Sequence, residues 1–238
     1  MRSILIMGGS RGIGAAMTRR FSRAGDRVFF TWNRSEQEAE ALCRETGARG
    51  IRADSAEGEQ VQRAVREAEG DQGCLDVLIC NAGVSLNRML ADTSDEEYQR
   101  VMNVNLYGTF AAIRAALPAM FWRRRGCILT VASIWGQEGA SCEAVYSASK
   151  AGVIALTQAA AREAAGAGIR VNCIAPGAVD TSMNGHLTAQ EREELAREIP
   201  MGRMGTPEEV AETAFFLAGD GAAYITGQVI GVNGGWHV

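Results

Sequence analysis

Short apolar runs alternate along the chain with longer stretches in which apolar residues recur every three or four positions. The short runs are SILIM at 3–7, RVFFT at 27–31, the brief RGIRA at 49–53, LDVLIC at 75–80, CILTVA at 127–132, IRVNCIA at 169–175 and GQVIGV at 227–232. Apolar continuity over so few residues, rather than alternation, predicts strands covered on both faces. The periodic stretches predict helices at 12–24, 35–46, 56–69, 95–124 in two parts, 144–166 and 207–218. Repeated strand-then-helix order predicts a right-handed parallel sheet with helices on both faces. A length of 238 residues suits one core, so 1–238 is expected to be a single domain.

One segment breaks the rhythm. Residues 181–205, TSMNGHLTAQEREELAREIPMGRMG, form a charged helical piece after a strand end. That placement fits a mobile cover over a pocket.

Composition narrows the function classes. Apolar residues at 47% and charged residues at 22% are ordinary for a folded globular chain. A net charge of −4 offers no broad basic footprint for nucleic acid. The RRR at 123–125 reads as a solvated helix end before Gly126. Six cysteines without a C-x-x-C pair, several of them in apolar runs, read as reduced packing residues of a cytoplasmic protein. His186 and His237 are too few to suggest a metal centre. No apolar run reaches the length of a membrane span.

Candidate chemistry begins directly after the first predicted strand. In GGSRGIG, Gly8, Gly12 and Gly14 let the backbone turn sharply toward a pyrophosphate, and the following helix start offers free N–H groups to it. The second strand ends in TWNRS with no acidic residue to hold a ribose 2′-hydroxyl; Arg34 and Arg11 instead suit a 2′-phosphate. This favours NADP over NAD. Later, YSASK places Tyr146 and Lys150 one helical turn apart on one face. An ammonium beside a phenol is expected to lower its pKa and ready it for proton transfer. Ser133 follows the fifth strand and presents a neutral donor of the kind that ketone reduction needs at the oxygen.

The glycine spacing, CNAG at 80–83, MNVNLYGTF around Asn105, Ser133, YSASK, the PG at 176–177 and the NGG at 233–235 together resemble the short-chain dehydrogenase/reductase family, over essentially the whole chain. The resemblance is nearest to the ketoreductases of fatty-acid synthesis. It implies a Rossmann-type, doubly wound α/β fold of about seven strands. It also implies NADPH-dependent reduction of a ketone, with Asn105, Ser133, Tyr146 and Lys150 as the catalytic set. Cofactor contacts are implied at Gly8, Ser10, Arg11, Gly12, Ile13, Gly14, Asn33, Arg34, Ser35, Asp54, Ser55, Asn81, Ala82, Gly83, Tyr146, Lys150, Pro176, Gly177, Val179 and Thr181. Two departures stand out: Met7 occupies the position of the family's turn-steadying threonine, and Cys80 that of the first asparagine of NNAG.

For the substrate, the resemblance implies a 3-oxoacyl thioester on acyl carrier protein. Arg124 matches one arginine implicated in carrier docking, while the second such position holds Ala167. IWGQEGASCEAVYSASK at 134–150 is also similar to a subgroup in which some members reduce a 5-aminopentanone group on elongation factor P. A free small ketone and an inactive cofactor-binding regulator stay open, and the family implies a homotetramer.

Overall fold

The computed structural model describes residues 1–70, 73–185 and 187–237. Its strands are β1 (Ser3–Met7), β2 (Arg27–Trp32), β3 (Arg49–Arg52), β4 (Val77–Cys80), β5 (Gly126–Val131), β6 (Ile169–Pro176) and β7 (Val229–Val232). Among the described residues these seven pair in the order β3-β2-β1-β4-β5-β6-β7, parallel throughout. β1 sits inside the sheet, with Ile4 opposite Val28 on one side and Val77 on the other. The connection order reverses between β1 and β4, which opens a crevice at the carboxyl edge of the sheet.

The apolar continuity of β1 now has its reason. Ile4 and Ile6 enter one core cluster and Leu5 and Met7 the other, so no position on the strand faces water. The first cluster is closed by α1 (Gly12–Arg23), α2 (Glu36–Thr46) and α8 (Pro207–Leu217). The second is closed by α3 (Gly58–Glu69), α5 (Gly108–Arg123) and α6 (Ala144–Ala164). No described helix is long and apolar enough to cross a membrane.

One helix starts later than the pattern-based expectation. α3 starts at Gly58 rather than at 56 because the Asp54 carboxylate accepts the Ala56 N–H at 2.9 Å, making a side-chain turn ahead of it. The stretch 95–124 falls in two parts as expected, α4 (Asp95–Met102) and α5, joined by a π-turn at Asn103–Tyr107. A π-turn carries one extra residue per turn and often marks a functional position. Here Asn105 lies at its centre and is fully buried.

Residues 181–205 form a short 3₁₀ turn at Ser182–Asn184 and α7 (Ala189–Glu198), whose start is a reciprocal capping box of Thr188 and Glu191. Its two feet meet where Val179 bridges Gly205: the Asp180 N–H donates to the Gly205 carbonyl and the Gly205 N–H to that of Ala178, each at 2.9 Å. His186 lies outside the described residues.

Candidate active site

At the carboxyl end of β1 the chain turns through Gly8, whose φ of +71° a side chain rarely adopts. Crowding also demands glycine: a Cβ on Gly14 would sit 2.1 Å from the Gly8 carbonyl oxygen and 2.7 Å from Asn81 Nδ2. The turn is tied from outside, since Asn81 Nδ2 donates to the Gly8 oxygen at 2.8 Å. Thr31 Oγ1, from β2, accepts the Gly8 N–H at 2.9 Å. A hydroxyl therefore steadies this turn although Met7 has none, and it comes from the neighbouring strand. α1 begins at Gly12 with no described side chain capping it, so its first N–H groups face the crevice for an anion. Ile13 packs back against the core beneath.

The residues expected to contact a cofactor follow the carboxyl ends of β1, β2, β3, β4 and β6. Arg11, Asn33 and Arg34 are exposed, while Ser35 is buried and its hydroxyl lies 2.7 Å from that of Ser10, joining the glycine turn to the end of β2. Asp54 is half-buried and partly engaged in its own turn; Ser55 is buried where α5 begins, its carbonyl 2.4 Å from the place of a Cβ on Gly108. Asn81, Ala82 and Gly83 follow β4, and Cys80 keeps the strand in register with Met7 on one side and Thr130 on the other. Its substitution for asparagine leaves the ladder intact, because ladder bonds come from the backbone. Pro176 ends β6, Gly177 and Val179 follow, and Thr181 Cγ2 would stand 3.3 Å from a Cβ on Gly12. The β6 loop thus reaches back to the glycine turn.

The four chemistry residues converge beside it. Tyr146 and Lys150 lie in the first two turns of α6, both buried, with the ammonium 5.7 Å from the phenol ring centroid. Lys150 Nζ donates to the Val131 carbonyl at 2.8 Å and lies 3.2 Å from the place of a Cβ on Gly83. Ser133 is buried just past β5, beside Tyr146. Asn105 is engaged at both ends of its amide: Oδ1 accepts the Val84 N–H at 2.8 Å, and Nδ2 donates to the Val84 carbonyl at 3.0 Å and to Ser149 Oγ at 2.9 Å. Ser149 in turn donates to the Tyr146 carbonyl at 2.7 Å. The side chain of Asn105 therefore clamps the loop after β4 to the turn of α6 that carries Tyr146.

One expectation needs correction. Lys150 does not lower the phenol pKa in this structure: burial pushes Tyr146 up to about 12, the nearby Ser133 opposing it and Glu143 adding to it. Burial likewise brings Lys150 down to about 8. Both groups are enclosed, and loss of hydration acts against the charged form of each more strongly than their mutual attraction helps it. Near neutral pH the phenol keeps its proton, the state required of an acid.

The sequence reading passed over Thr31 and Ser149. Thr31 had a signal, a lone hydroxyl inside the apolar run RVFFT; Ser149 had none beyond its place in YSASK. Among the described residues no group of three or more potential ligands is placed to hold a metal ion. All six cysteines are free; the buried Cys80 thiol, pushed up to about 12 by burial, is unreactive packing.

A family model described as enoyl-(acyl carrier protein) reductase matches residues 8–237. The chain is similar to the 3-oxoacyl-[acyl-carrier-protein] reductase FabG of Staphylococcus aureus (strain Mu50), with 38% identity over 242 residues, covering 100% of this chain and 98% of that protein. The enzyme of the same name from Thermotoga maritima is 38% identical over 236 residues, 97% of this chain and 96% of that one. Its Chlamydia trachomatis counterpart is 36% identical over 240 residues, with 98% and 96% covered.

Proposed function

Because the chain belongs to the short-chain dehydrogenase/reductase family, an oxidoreductase family that uses a nicotinamide cofactor, we propose that it reduces a 3-oxoacyl thioester on acyl carrier protein to the secondary alcohol with NADPH. The observation that carries this reading is the gathering of buried Ser133, Tyr146 and Lys150 at the end of β5, with the Lys150 ammonium on the Val131 carbonyl and 5.7 Å from the phenol ring centroid. The neighbouring hydroxyls of Ser133 and Tyr146 suit a carbonyl oxygen, which supports the ketone of the relatives' name over the enoyl group of the family description. A bound nicotinamide dinucleotide would supply the hydride to the carbonyl carbon. Tyr146 gives its proton to the developing alkoxide, Ser133 donates a hydrogen bond to the same oxygen, and Lys150 stabilises the phenolate left behind. Asn105 holds these groups in place.

The dinucleotide would be held by Gly8, Ser10, Arg11, Gly12, Ile13 and Gly14 at the pyrophosphate and by Asn33, Arg34 and Ser35 at the ribose. Asp54, Ser55, Asn81, Ala82 and Gly83 line the adenosine side, and Tyr146, Lys150, Pro176, Gly177, Val179 and Thr181 the nicotinamide side. The fit rests on uncapped N–H groups at α1, the tight glycine turn, and two exposed guanidiniums with no acidic side chain at the end of β2. The last of these supports NADP over NAD. Residues 181–205 cover the substrate, and 1–238 act as one domain. Exposed Tyr98, Tyr107, Phe110 and Phe121 along α4 and α5 support association into a homotetramer. Reduced cysteines support a cytoplasmic location. Arg124 is a weak carrier anchor: its Nη2 donates to the Gly166 carbonyl at 2.8 Å, closing the end of α5 against that of α6.

The test is turnover of acetoacetyl and crotonyl thioesters with NADPH and with NADH, alongside a ketone on an aminopentanone-modified elongation factor. Acetoacetyl turnover with NADPH should dominate, and Tyr146→Phe should lower kcat about 10²–10⁴-fold while cofactor still binds. Turnover retained by that variant removes the role given to Tyr146.

A further inference from the structure

The residues after β7 tie together three loops from distant parts of the chain. At the cofactor turn, the Gly177 N–H donates to the Val232 carbonyl at 3.0 Å, and a Cβ on Gly177 would meet Asn233 Cβ at 2.9 Å. At the cover segment, the Met201 N–H donates to the Gly234 carbonyl at 3.1 Å, and a Cβ on Gly234 would stand 2.8 Å from the buried Ile199. At the loop after β5, Trp236 meets Trp135 edge-on, ring centroids 5.3 Å apart at 67°, and His237 Nδ1 lies 3.6 Å from Glu138 Oε2. The tail holds its own shape through Asn233, whose Nδ2 donates to the His237 carbonyl at 2.8 Å and whose Oδ1 accepts the Gly235 N–H at 3.0 Å.

What Trp135 does next reaches the chemistry. Its backbone N–H donates to Ser133 Oγ at 3.2 Å, and Ser133 lies beside Tyr146. Its turn, Ile134–Gly136, rests on α6, where a Cβ on Gly136 would be 2.7 Å from the Lys150 carbonyl carbon. We propose that Trp236 is a positioning residue for ketone reduction: by bracing Trp135 it holds Ser133 in line with Tyr146, and through residues 233–237 it links the state of the cover segment to that alignment. This rests on the reductase reading above.

Trp236→Ala and Trp135→Ala are to be compared with wild type on acetoacetyl thioester and NADPH. Each should lower kcat/KM about tenfold, since small displacements of a reacting group are costly, and the double variant should be no worse than either single one. NADPH affinity should stay within twofold, and Trp236→Phe should retain most activity. The far-ultraviolet circular dichroism couplet of the paired indoles should vanish in either alanine variant. Absence of ketone reduction by wild type would remove the reductase reading itself. With wild type active, unchanged kcat/KM in Trp236→Ala, additive losses in the double variant, or parallel loss of NADPH affinity would overturn the proposal. Collapse of the fold in Trp236→Ala would overturn it too, because it gives this half-exposed side chain no share in the core.

Discussion

Thr31→Val tests whether the glycine turn depends on the neighbouring strand. Thr31 is 1% exposed and its Oγ1 accepts the Gly8 N–H at 2.9 Å. Valine keeps the β-branch and nearly the volume but removes the acceptor. A buried N–H left without a partner costs about 1–3 kcal/mol; Gly8 is only half-buried, so water replaces part of the bond and the expected loss is about 1–2 kcal/mol. At about 2–4 °C per kcal/mol for a chain of this size, the melting temperature should fall by about 2–8 °C. The Gly8 carbonyl also receives Asn81 Nδ2 at 2.8 Å, so a loosened turn weakens dinucleotide binding: every ~1 kcal/mol that falls on the bound state raises Kd about fivefold. Thermal unfolding and NADPH titration by protein fluorescence measure both, and Thr31→Ser, which keeps the hydroxyl, should bind NADPH like wild type. Equal melting temperature and equal Kd in Thr31→Val would show that the hydroxyl does not hold the turn.

Lys150→Met should trade activity for stability. The folded chain holds the Lys150 proton less tightly than the unfolded chain, about 8 against 10.5, so the cost to stability is greatest below about pH 8 and disappears as pH rises toward the unfolded value. The variant should gain up to about 3 kcal/mol at pH 7, less by pH 10 in denaturant titrations, while kcat falls at least ~100-fold. Wild-type ketone reduction should decline as pH rises past about 8, where Lys150 loses its proton, while Tyr146 retains its own to about 12; a pH-rate profile flat to 9.5 would contradict this. Arg34→Glu should weaken NADPH about 10–100-fold through loss of a charge-assisted contact and leave NADH no weaker, as read from paired titrations.

Much of the proposed site is legible in the sequence because its chemistry would need particular residue types at short range. The spacing of Gly8, Gly12 and Gly14 reflects a local turn too tight for side chains, and Tyr146 and Lys150 share a face because helical periodicity allows nothing else. The central strands were legible for a similar reason: a strand buried on both faces is apolar at every position, as Ile4 to Met7 show, whereas the edge strands β3 and β7 are partly open to water. What the chain alone determined is therefore local geometry and the parallel α/β plan, together with the residue types proposed to react.

Tertiary structure decided what depends on contacts far apart in sequence. Thr31 reaches Gly8 because β2 lies beside β1, and Asn105 faces Ser149 because a π-turn rotates it inward across 44 positions of chain. The direction of the pKa shifts also came from the fold. Spacing suggested that the ammonium would acidify the phenol, but enclosure of both groups at the carboxyl edge of the sheet removes water from each, and loss of hydration outweighs their attraction. Pair spacing is written in the sequence; the solvent around the pair is set only when distant elements close over it.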